Sequence, residues 1–313
     1  MSADIAQAIE GPPPRLVCLG LSAFDLTWVV PGLPHGGKTR ALDHYSGGGG
    51  MAANAAVAAA RLGAQVQFWG RAGQDAAGRA MRQELAELGV DVAHFRLFEH
   101  ARSSVSGIVV DARGERMIVN FRGRGLPDEA DWLPLETIGR VDAVLADPRW
   151  PQGALALFRQ ARSLGVPTIL DGDVSDSEVF DLLLPHTDFA VFSEQGLSAY
   201  AGSADAEAGL RLARGRGCAL AAVTRGERGV AWLGPDDDEP LRIPAFAVEA
   251  VDTTGAGDVF HGALAYGLGR RWPVADAFRF GAAVAAIKCT RAGSRAGTPD
   301  LRAVLSFLQD SKE

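Results

Sequence analysis

The sequence predicts an α/β protein in which helices cover both faces of a mainly parallel central sheet. Short apolar runs of the buried-strand type alternate along the chain with longer segments of helical periodicity, which is the pattern of βα units. At 313 residues, of which 47% are hydrophobic and 22% are charged, the chain can bury a sizeable core. No repeat, low-complexity block or shift in composition marks a linker, so we expect residues 1–313 to form a single domain.

Composition and charge restrict the kind of partner. The net charge of -7 and the lack of a long basic run argue against a nucleic acid or an anionic membrane. The three cysteines, Cys18, Cys218 and Cys289, are far apart and odd in number, which indicates neither a disulfide framework nor a zinc site. We therefore expect the partners to be small molecules.

The first residues do not have the pattern of a signal peptide. Residues 1–14 contain acidic side chains and three consecutive prolines where a signal peptide would have an apolar run. No later stretch approaches the roughly 18 uninterrupted apolar residues that a membrane span needs. We therefore expect a cytoplasmic protein whose residues 1–14 form a flexible tail.

The first predicted strand ends close to a candidate binding residue. Residues 16–21 form a short apolar run typical of a buried strand, and Asp25 lies just past its carboxyl end. Open α/β sheets bind their ligands at this edge, although an aspartate there can also merely cap a turn. The mixed segment at residues 29–45 then indicates partly exposed strands.

A glycine run leads from this segment into an alanine-rich helix predicted over residues 51–62. Gly49 and Gly50 would let a ligand approach the backbone closely, and the amide of Asn54 can donate and accept hydrogen bonds to hydroxyl groups. A dinucleotide-binding loop fits less well, because the third glycine of that motif is missing.

A predicted β-hairpin has two different faces. Residues 104–111 and 115–122 flank the turn signal Ala112-Arg113-Gly114. Along the second strand, one face carries Met117, Val119 and Phe121, and the other carries Arg116, Ile118, Asn120 and Arg122. Because an isolated hairpin is barely stable, we expect a ligand to cover one face and a second subunit the other. Insertions at about 26–47 and 103–124 would together form a lid.

Polar residues follow several of the remaining predicted strands. These strands cover residues 65–70, 92–97, 141–146, 165–170, 189–192 and 219–224, with an amphipathic helix over residues 75–88. Arg149 follows the strand at 141–146, and Ser193 and Glu194 follow the strand at 189–192. Thr224 ends the strand at 219–224 and is followed by Gly226 and Gly229. Each group therefore lies at the edge where open α/β sheets bind ligands.

The strongest chemical signal is the heptad Asp-Thr-Thr-Gly-Ala-Gly-Asp at residues 252–258, which precedes a predicted helix of small residues. Gly255 and Gly257, on either side of Ala256, let the backbone turn closely, and the first turn of a helix leaves several N–H groups unpaired. Such a turn can hold an anion. At the same helix start, Asp258 is placed to take the proton of an acceptor hydroxyl as a phosphoryl group arrives.

The heptad resembles the C-terminal signature of the ribokinase-like (PfkB) family of carbohydrate kinases. Gly49, Gly50 and Asn54 resemble the family's N-terminal Gly-Gly-x-x-x-Asn motif, and residues 224–229 resemble its Thr-x-Gly-x-x-Gly nucleotide loop. The resemblance implies a three-layer α/β/α sandwich with a small β-sheet lid. It also implies ATP and Mg²⁺ as cofactors and a homodimer formed through the lid, and it leaves open a monovalent cation such as K⁺.

The resemblance also assigns roles to residues. It implies that Asp258 is the catalytic base and that the turn formed by Gly255, Ala256 and Gly257 holds the phosphoryl group. Asp25, together with Gly49, Gly50 and Asn54, would bind sugar hydroxyls. The nucleotide would contact Ser193, Thr224, Gly226 and Gly229.

One family motif is altered in this chain. The family usually carries Asn-x-x-Glu, whose glutamate helps to organise Mg²⁺ through water. Here Ser193 stands in place of the asparagine and Gly196 in place of the glutamate. Glu194 is the nearest acidic residue and is therefore our candidate for the contact through water.

Several segments narrow the resemblance to the sulfofructose kinases, which phosphorylate the 1-hydroxyl of 6-deoxy-6-sulfofructose in sulfoquinovose breakdown. They include residues 32–34, 114–116, 145–150, 170–173, 192–194, 251–265 and 288–300. The resemblance places the sulfonate-binding lysine, asparagine and arginine on Lys38, Asn120 and Arg149. A sulfonate needs fixed donors and positive charge, which these three would supply once the lid closes.

Other interpretations stay open. A related kinase would act on fructose, ribose or fructose 6-phosphate; Lys38 and Arg149 disfavour the neutral sugars but not the sugar phosphate. A non-catalytic sugar-sensing relative should have lost the base, whereas Asp258 is present. A Rossmann dehydrogenase would need Gly-x-Gly-x-x-Gly after a strand, which the sequence lacks. Measuring ADP formation over a panel of sugars separates these classes.

Overall fold

The computed structural model describes residues 11–111, 113 and 115–311. Most of the predicted tail, and residues Ala112 and Gly114 of the predicted hairpin turn, therefore lie outside the described residues. The described strands are β1 (Arg15–Gly20), β2 (Ala23–Val30), β3 (Asp43–Gly49), β4 (Gln65–Gly73), β5 (Phe95–Phe98), β6 (Ser104–Asp111), β7 (Arg116–Phe121), β8 (Ala143–Ala146), β9 (Thr168–Gly172), β10 (Phe189–Ser193), β11 (Leu220–Thr224), β12 (Val230–Leu233) and β13 (Leu241–Ile243).

Helices lie between several of these strands and follow the last one. In the same described part of the chain they are α1 (Met51–Arg61), α2 (Ala76–Glu87), α3 (Pro151–Ser163), α4 (Ser177–Leu183), α5 (Glu194–Ala201), α6 (Ala206–Gly215), α7 (Ala256–Gly269), α8 (Val274–Cys289) and α9 (Leu301–Asp310), with short 3₁₀ helices at Leu135–Arg140, Leu184–His186 and Gly226–Arg228. No helix among the described residues is long and apolar enough to cross a membrane.

Nine of the described strands form one large sheet, in the order β13-β12-β11-β10-β9-β8-β1-β4-β5. Neighbouring strands from β5 to β11 are parallel, and the edge strands β12 and β13 are antiparallel. The predicted mainly parallel sheet is therefore confirmed. Strands β4 and β5 lie on one side of β1, and the later strands β8 to β13 lie on the other. The strand order therefore reverses at β1, and a crevice opens there at the carboxyl ends of the strands.

Both faces of the large sheet are buried, as the apolar strand runs predict. Along β1, Leu16 and Cys18 point into one hydrophobic cluster, and Val17 and Leu19 point into another on the opposite face. Helices α1, α7 and α8 contribute to the first cluster, and α3 and α6 contribute to the second. The predicted three-layer α/β/α sandwich is therefore confirmed.

Helices α1 and α7 approach each other unusually closely because their contact surfaces consist of small residues. The whole stretch 52–59 of α1 is buried. A Cβ atom placed on Gly262 of α7 would collide with the carbonyl oxygen of Ala55. This close packing brings the second turn of α1 next to the first turn of α7.

A separate sheet of four described strands, called the small sheet below, has the order β3-β2-β6-β7. Its strands come from the two segments in which the sequence predicts insertions, and β6 and β7 form the predicted antiparallel hairpin. Asp25 lies five residues past the end of β1, as predicted, but it belongs to a strand that was not predicted there, because β2 pairs with both β3 and β6 along its length. One predicted strand was wrong in its bounds. The strand predicted at 92–97 is β5 at Phe95–Phe98, because the Asp91 carboxylate accepts a hydrogen bond from the Ala93 N–H and starts a turn.

Candidate active site

The site lies in the crevice between β1 and β8, where Asp147 ties three segments together. Its buried carboxylate accepts hydrogen bonds from the N–H groups of Leu21 at 2.7 Å, Ala52 at 3.1 Å and Arg149 at 2.9 Å. Three donors compensate for much of the cost of burying this group. The loops after β1 and β8 and the start of α1 are therefore held in one arrangement.

The predicted base, Asp258, stands in the first turn of α7. Its Oδ2 accepts a hydrogen bond of 2.7 Å from the side-chain amide of Asn54 on α1. Burial raises the pKa of Asp258 to about 7, and the negative charge of nearby Asp171 adds to the rise. A carboxyl with a pKa near neutrality is well matched to accept a proton from a sugar hydroxyl.

The turn in front of Asp258 has the geometry of an anion site. Gly255 precedes α7 with φ of 76°, a left-handed conformation that favours glycine. The first N–H groups of the helix, including those of Gly257 and Asp258, have no carbonyl partner one turn earlier in the helix. A Cβ atom on Gly257 would meet nothing within 4 Å. The space in front of these donors is therefore open to a phosphoryl group.

Predicted sugar-binding residues gather on one face of the small sheet. Asp25 of β2 pairs with Ser106 of β6, which in turn pairs with Asn120 of β7. The Asn120 amide donates a 3.2 Å hydrogen bond to the Ser106 hydroxyl. Burial raises the pKa of Asp25, against the hydrogen bond from Ser106. A side chain at Gly49 would collide with the Asp25 carboxylate. The absence of a side chain at this position therefore provides the space that the carboxylate occupies.

Two charged residues that the sequence analysis missed support these groups. Arg295 is 6% exposed and donates to the Asn54 side-chain oxygen at 2.9 Å, to the Gly49 carbonyl at 3.0 Å and to Glu84 at 2.9 Å. Glu84 also accepts from the Gly48 N–H at 2.6 Å. The Arg295–Glu84 pair thus orients the Asn54 amide, whose nitrogen donates to Asp258.

A cavity of about 390 Å³ next to this row of residues is rich in positive charge. Its lining includes Asn120 and Arg149, together with Arg71 and Arg122, which the sequence analysis did not single out. The Arg149 guanidinium donates to the Val174 carbonyl at 2.8 Å and lies 3.3 Å from the Asp173 carboxylate. Arg71 stacks 4.5 Å from the centre of the Trp150 ring. The third predicted sulfonate-binding residue, Lys38, is not brought to this cavity but lies exposed on the loop between β2 and β3.

A second cavity, of about 520 Å³, opens on the other side of the α7 start. Its lining is mainly apolar or small, and it includes the predicted residues Thr224, Gly226, Gly229 and Gly257. Phe246 and Phe260 provide flat apolar surface there. An adenine ring and ribose fit this chemistry, and the triphosphate would then point toward the open turn at Gly257.

The predicted nucleotide and metal contacts after β10 have other partners in the structure. Ser193 caps α5, because its hydroxyl accepts from the Gly196 N–H at 2.9 Å, and it lies 3.3 Å from Asp173. The Glu194 carboxylate forms ion pairs with Arg228 and Arg225. Among the described residues, no three acidic, histidine or cysteine side chains form a metal-binding group. Contact of Glu194 with Mg²⁺ through water stays a prediction.

The residues around Asp252 do not fit a bound monovalent cation. The Asp252 carbonyl accepts a hydrogen bond from Lys288 Nζ at 2.6 Å. Its carboxylate accepts from the N–H groups of Thr254 and Gly293, each at 2.9 Å, and lies 3.4 Å from the Arg116 guanidinium. The three oxygens of Asp252, which could otherwise hold K⁺ beside the anion turn, therefore already have cationic or N–H partners.

Known proteins share this architecture along most of the chain. Residues 13–301 match the model of the pfkB family carbohydrate kinase. A ribokinase of Haemophilus influenzae is 30% identical over 94% of this chain and 98% of its own. A fructokinase of Klebsiella pneumoniae is 34% identical over 70% of this chain and 76% of its own.

A solved structure extends this similarity to three dimensions. The ribokinase of Arabidopsis thaliana in complex with ribose and ATP superimposes with a TM-score of 0.84, at 25% identity, over 96% of this chain and 99% of its own. The match to the family model covers both the small sheet and the heptad that carries Asp258. The chain therefore belongs to the pfkB family of carbohydrate kinases, enzymes that transfer a phosphoryl group from ATP to a sugar hydroxyl.

Proposed function

We propose that the protein phosphorylates the 1-hydroxyl of an anionic ketose, 6-deoxy-6-sulfofructose, and that the small sheet acts as the lid of a single, cytoplasmic kinase domain. The observation that carries the proposal is the cavity lined by Arg71, Arg122 and Arg149. It adjoins Asn120, which is linked through Ser106 to Asp25. Arg149 is paired with Asp173 and Arg71 with Asp128. Even so, three guanidinium groups around one cavity exceed what a neutral sugar needs, and their planar N–H donors suit a sulfonate or a phosphate.

The residues of the chain divide the chemistry between them. Asp25 and Asn54 would hold the sugar so that its terminal hydroxyl points at Asp258. The Asp258 carboxylate then takes the hydroxyl proton, and the first N–H groups of α7 stabilise the negative charge on the transferring group. When bound, ATP supplies the phosphoryl group and Mg²⁺ spreads its charge.

Mg²⁺ in kinases is held mostly by phosphate oxygens, water and one or two carboxylates. Two carboxylates lie at the carboxyl ends of the neighbouring strands β9 and β10, those of Asp173 and Glu194. Glu194 is paired with two arginines, Arg225 and Arg228, whereas Asp173 is paired with one, Arg149. We therefore infer that Asp173 supplies the larger share of the negative charge that attracts the metal.

Replacing Arg149 should separate anionic from neutral substrates. A charge-assisted hydrogen bond in a closed site contributes about 1.5–3 kcal/mol, so Arg149→Met should lower kcat/KM for sulfofructose by roughly tenfold to a hundredfold or more. Turnover of fructose, whose hydroxyls would still meet Asp25 and Asn54, should change little. The quantity to measure is the ratio of the two kcat/KM values in wild type and variant, obtained from ADP formation.

Two companion measurements sharpen this test. Lys38→Met should reduce the same ratio only if the β2–β3 loop folds over the cavity during the reaction. An equal loss for both sugars in Arg149→Met would mean that Arg149 supports folding or closure, and it would remove the basis for a sulfonate site. A wild-type preference for fructose 6-phosphate would leave the arginine cluster in place but make its ligand a phosphate.

Ribose and fructose are the second candidate substrates. They are favoured by the names of the relatives, which are ribokinases and a fructokinase. A panel of ribose, fructose, fructose 6-phosphate and sulfofructose, assayed side by side for ADP formation, decides between these sugars.

We also propose that two copies pair through the outer face of the small sheet. Trp28, Met117, Val119 and Phe121 share this face and are 37%, 41%, 68% and 46% exposed. An apolar patch of this kind favours burial against another surface, and a second copy offers the same patch.

Disrupting this face should therefore produce monomers. The wild type is expected to sediment as a dimer at micromolar concentration. Val119→Glu places a charge in the centre of the patch and should shift the protein toward the monomer. Leu212→Glu, on the exposed side of α6, is the matched control and should leave the dimer intact. A fully active wild-type monomer at that concentration would contradict the proposal.

A further inference from the structure

Lys288 is a buried, positively charged residue that has no role in the phosphoryl transfer described above. It lies one residue before the end of α8, and its side chain is 0% exposed. A lysine ammonium is a compact, strongly hydrated charge, and its burial is costly unless oxygen atoms replace the lost water. Its partners therefore indicate what the residue does.

The partners of Lys288 belong to the first residue of the catalytic heptad. The ammonium donates a 2.6 Å hydrogen bond to the Asp252 carbonyl and lies 3.7 Å from the Asp252 carboxylate. Burial lowers the pKa of Lys288, and the negative charge of Asp252 opposes this. The lysine thus binds both a main-chain and a side-chain oxygen of one residue, as a bound metal ion would.

Asp252 in turn joins the two loops that border the transfer site. One carboxylate oxygen accepts from the Thr254 N–H within the heptad, and the other accepts from the Gly293 N–H in the loop after α8. The N–H groups of Val251 and Asp252 donate to the Cys289 carbonyl at 2.7 and 3.1 Å. The backbone that leads into the Gly255 turn is therefore anchored to the end of α8 around the Lys288 ammonium.

We propose that the Lys288 ammonium acts as a built-in monovalent cation that positions the anion-holding turn, so that the enzyme does not depend on added K⁺. Lys288 touches neither nucleotide nor sugar in this proposal. It acts through Asp252, and it sets where the N–H groups at the start of α7 point. The proposal rests on the kinase activity but not on the identity of the sugar.

The first test uses the wild-type protein. Its kcat and its KM for ATP should agree within about twofold in buffers whose only monovalent cation is K⁺, Na⁺ or tetramethylammonium. ADP affinity, measured by calorimetry in the same three buffers, should be equally constant. Stimulation by K⁺ of about fivefold or more would overturn the proposal, even if none of the variants below can be purified.

The second test asks whether a small cation can replace the lysine. Lys288→Ala should lower kcat/KM for ATP by about tenfold or more. Addition of K⁺, NH₄⁺ or methylammonium at about 100 mM should then raise kcat/KM of the variant several-fold. Tetramethylammonium, which is too large for the space left by the side chain, should not. A purely structural loss would not be rescued by cations of one size, so a folded variant without such selective rescue would count against the proposal.

Two further variants serve as controls. Lys288→Gln keeps a donor for the Asp252 carbonyl but lacks the charge, so full activity without added cation would mean that charge is not required. Arg302→Met removes an exposed positive charge on α9 and should behave as wild type in every buffer. Because ADP binding is read separately from turnover, a poor choice of sugar substrate cannot be mistaken for failure of the lysine proposal.

Discussion

Asp258→Asn is expected to lower the rate of phosphoryl transfer by roughly two to four powers of ten while leaving nucleotide affinity nearly unchanged. The asparagine preserves the size of the side chain and can still accept the hydrogen bond from the Asn54 amide. It cannot take a proton from the sugar hydroxyl. The measurement is single-turnover transfer from ATP, with ADP affinity determined by calorimetry on the same preparation.

The pH dependence of the wild type provides the control for this variant. Since the pKa of Asp258 is raised to about 7, the basic carboxylate form is lost as the pH falls below that value, and kcat/KM should drop about tenfold per pH unit there. This acidic limb should be missing from the residual activity of Asp258→Asn. Near-normal turnover in the variant would refute the assignment of the base.

Gly257→Val is expected to abolish detectable transfer to any sugar. A side chain at Gly257 projects into open space, and this is the space that the transferring phosphoryl group must occupy. A β-branched side chain has little freedom to turn away in the first turn of a helix. The measurement is product formation over hours at high enzyme concentration, accompanied by a thermal melt to establish that the variant is folded.

A smaller substitution at the same position separates crowding from helix disruption. Gly257→Ala adds a single methyl group and is favourable for the helix, so it should retain a measurable fraction of the wild-type rate. If alanine and valine lower the rate equally, the loss comes from the backbone conformation and not from blocked space. Full activity in the valine variant would contradict the proposed path of the phosphoryl group.

Much of the fold could be predicted because its signals are local. The apolar run of β1, the glycine after α1 and the full span of α8 depend on neighbours in sequence, and these elements lie within a few residues of where the sequence predicts them. The strand that contains Asp25 was harder to predict. Its pairing partners lie some 20 residues away in β3 and some 80 residues away in β6, and neither pairing leaves a local trace.

The parts of the site that escaped prediction depend on contacts between distant segments. Arg295 and Glu84 are separated by 211 positions in sequence, and each alone resembles an ordinary surface charge. Arg71 lies in β4, and its guanidinium is held beside the cavity by stacking on Trp150 and by hydrogen bonds to Pro127 and Asp128. Charged residues of this kind are exposed in most proteins, so only the folded chain distinguishes the ones that are buried and shared.

The close approach of α1 and α7 has a consequence for how such an enzyme can change over evolution. The spacing between Asn54 and Asp258 depends on a backbone contact, Gly262 against Ala55, which no side-chain rotamer can adjust. The arginines around the proposed sugar cavity, in contrast, come from strands and loops at its rim. Mutations at the rim can thus change which sugar is bound without changing the spacing between Asn54 and Asp258. Substrate specificity and the chemical step can therefore evolve independently of each other.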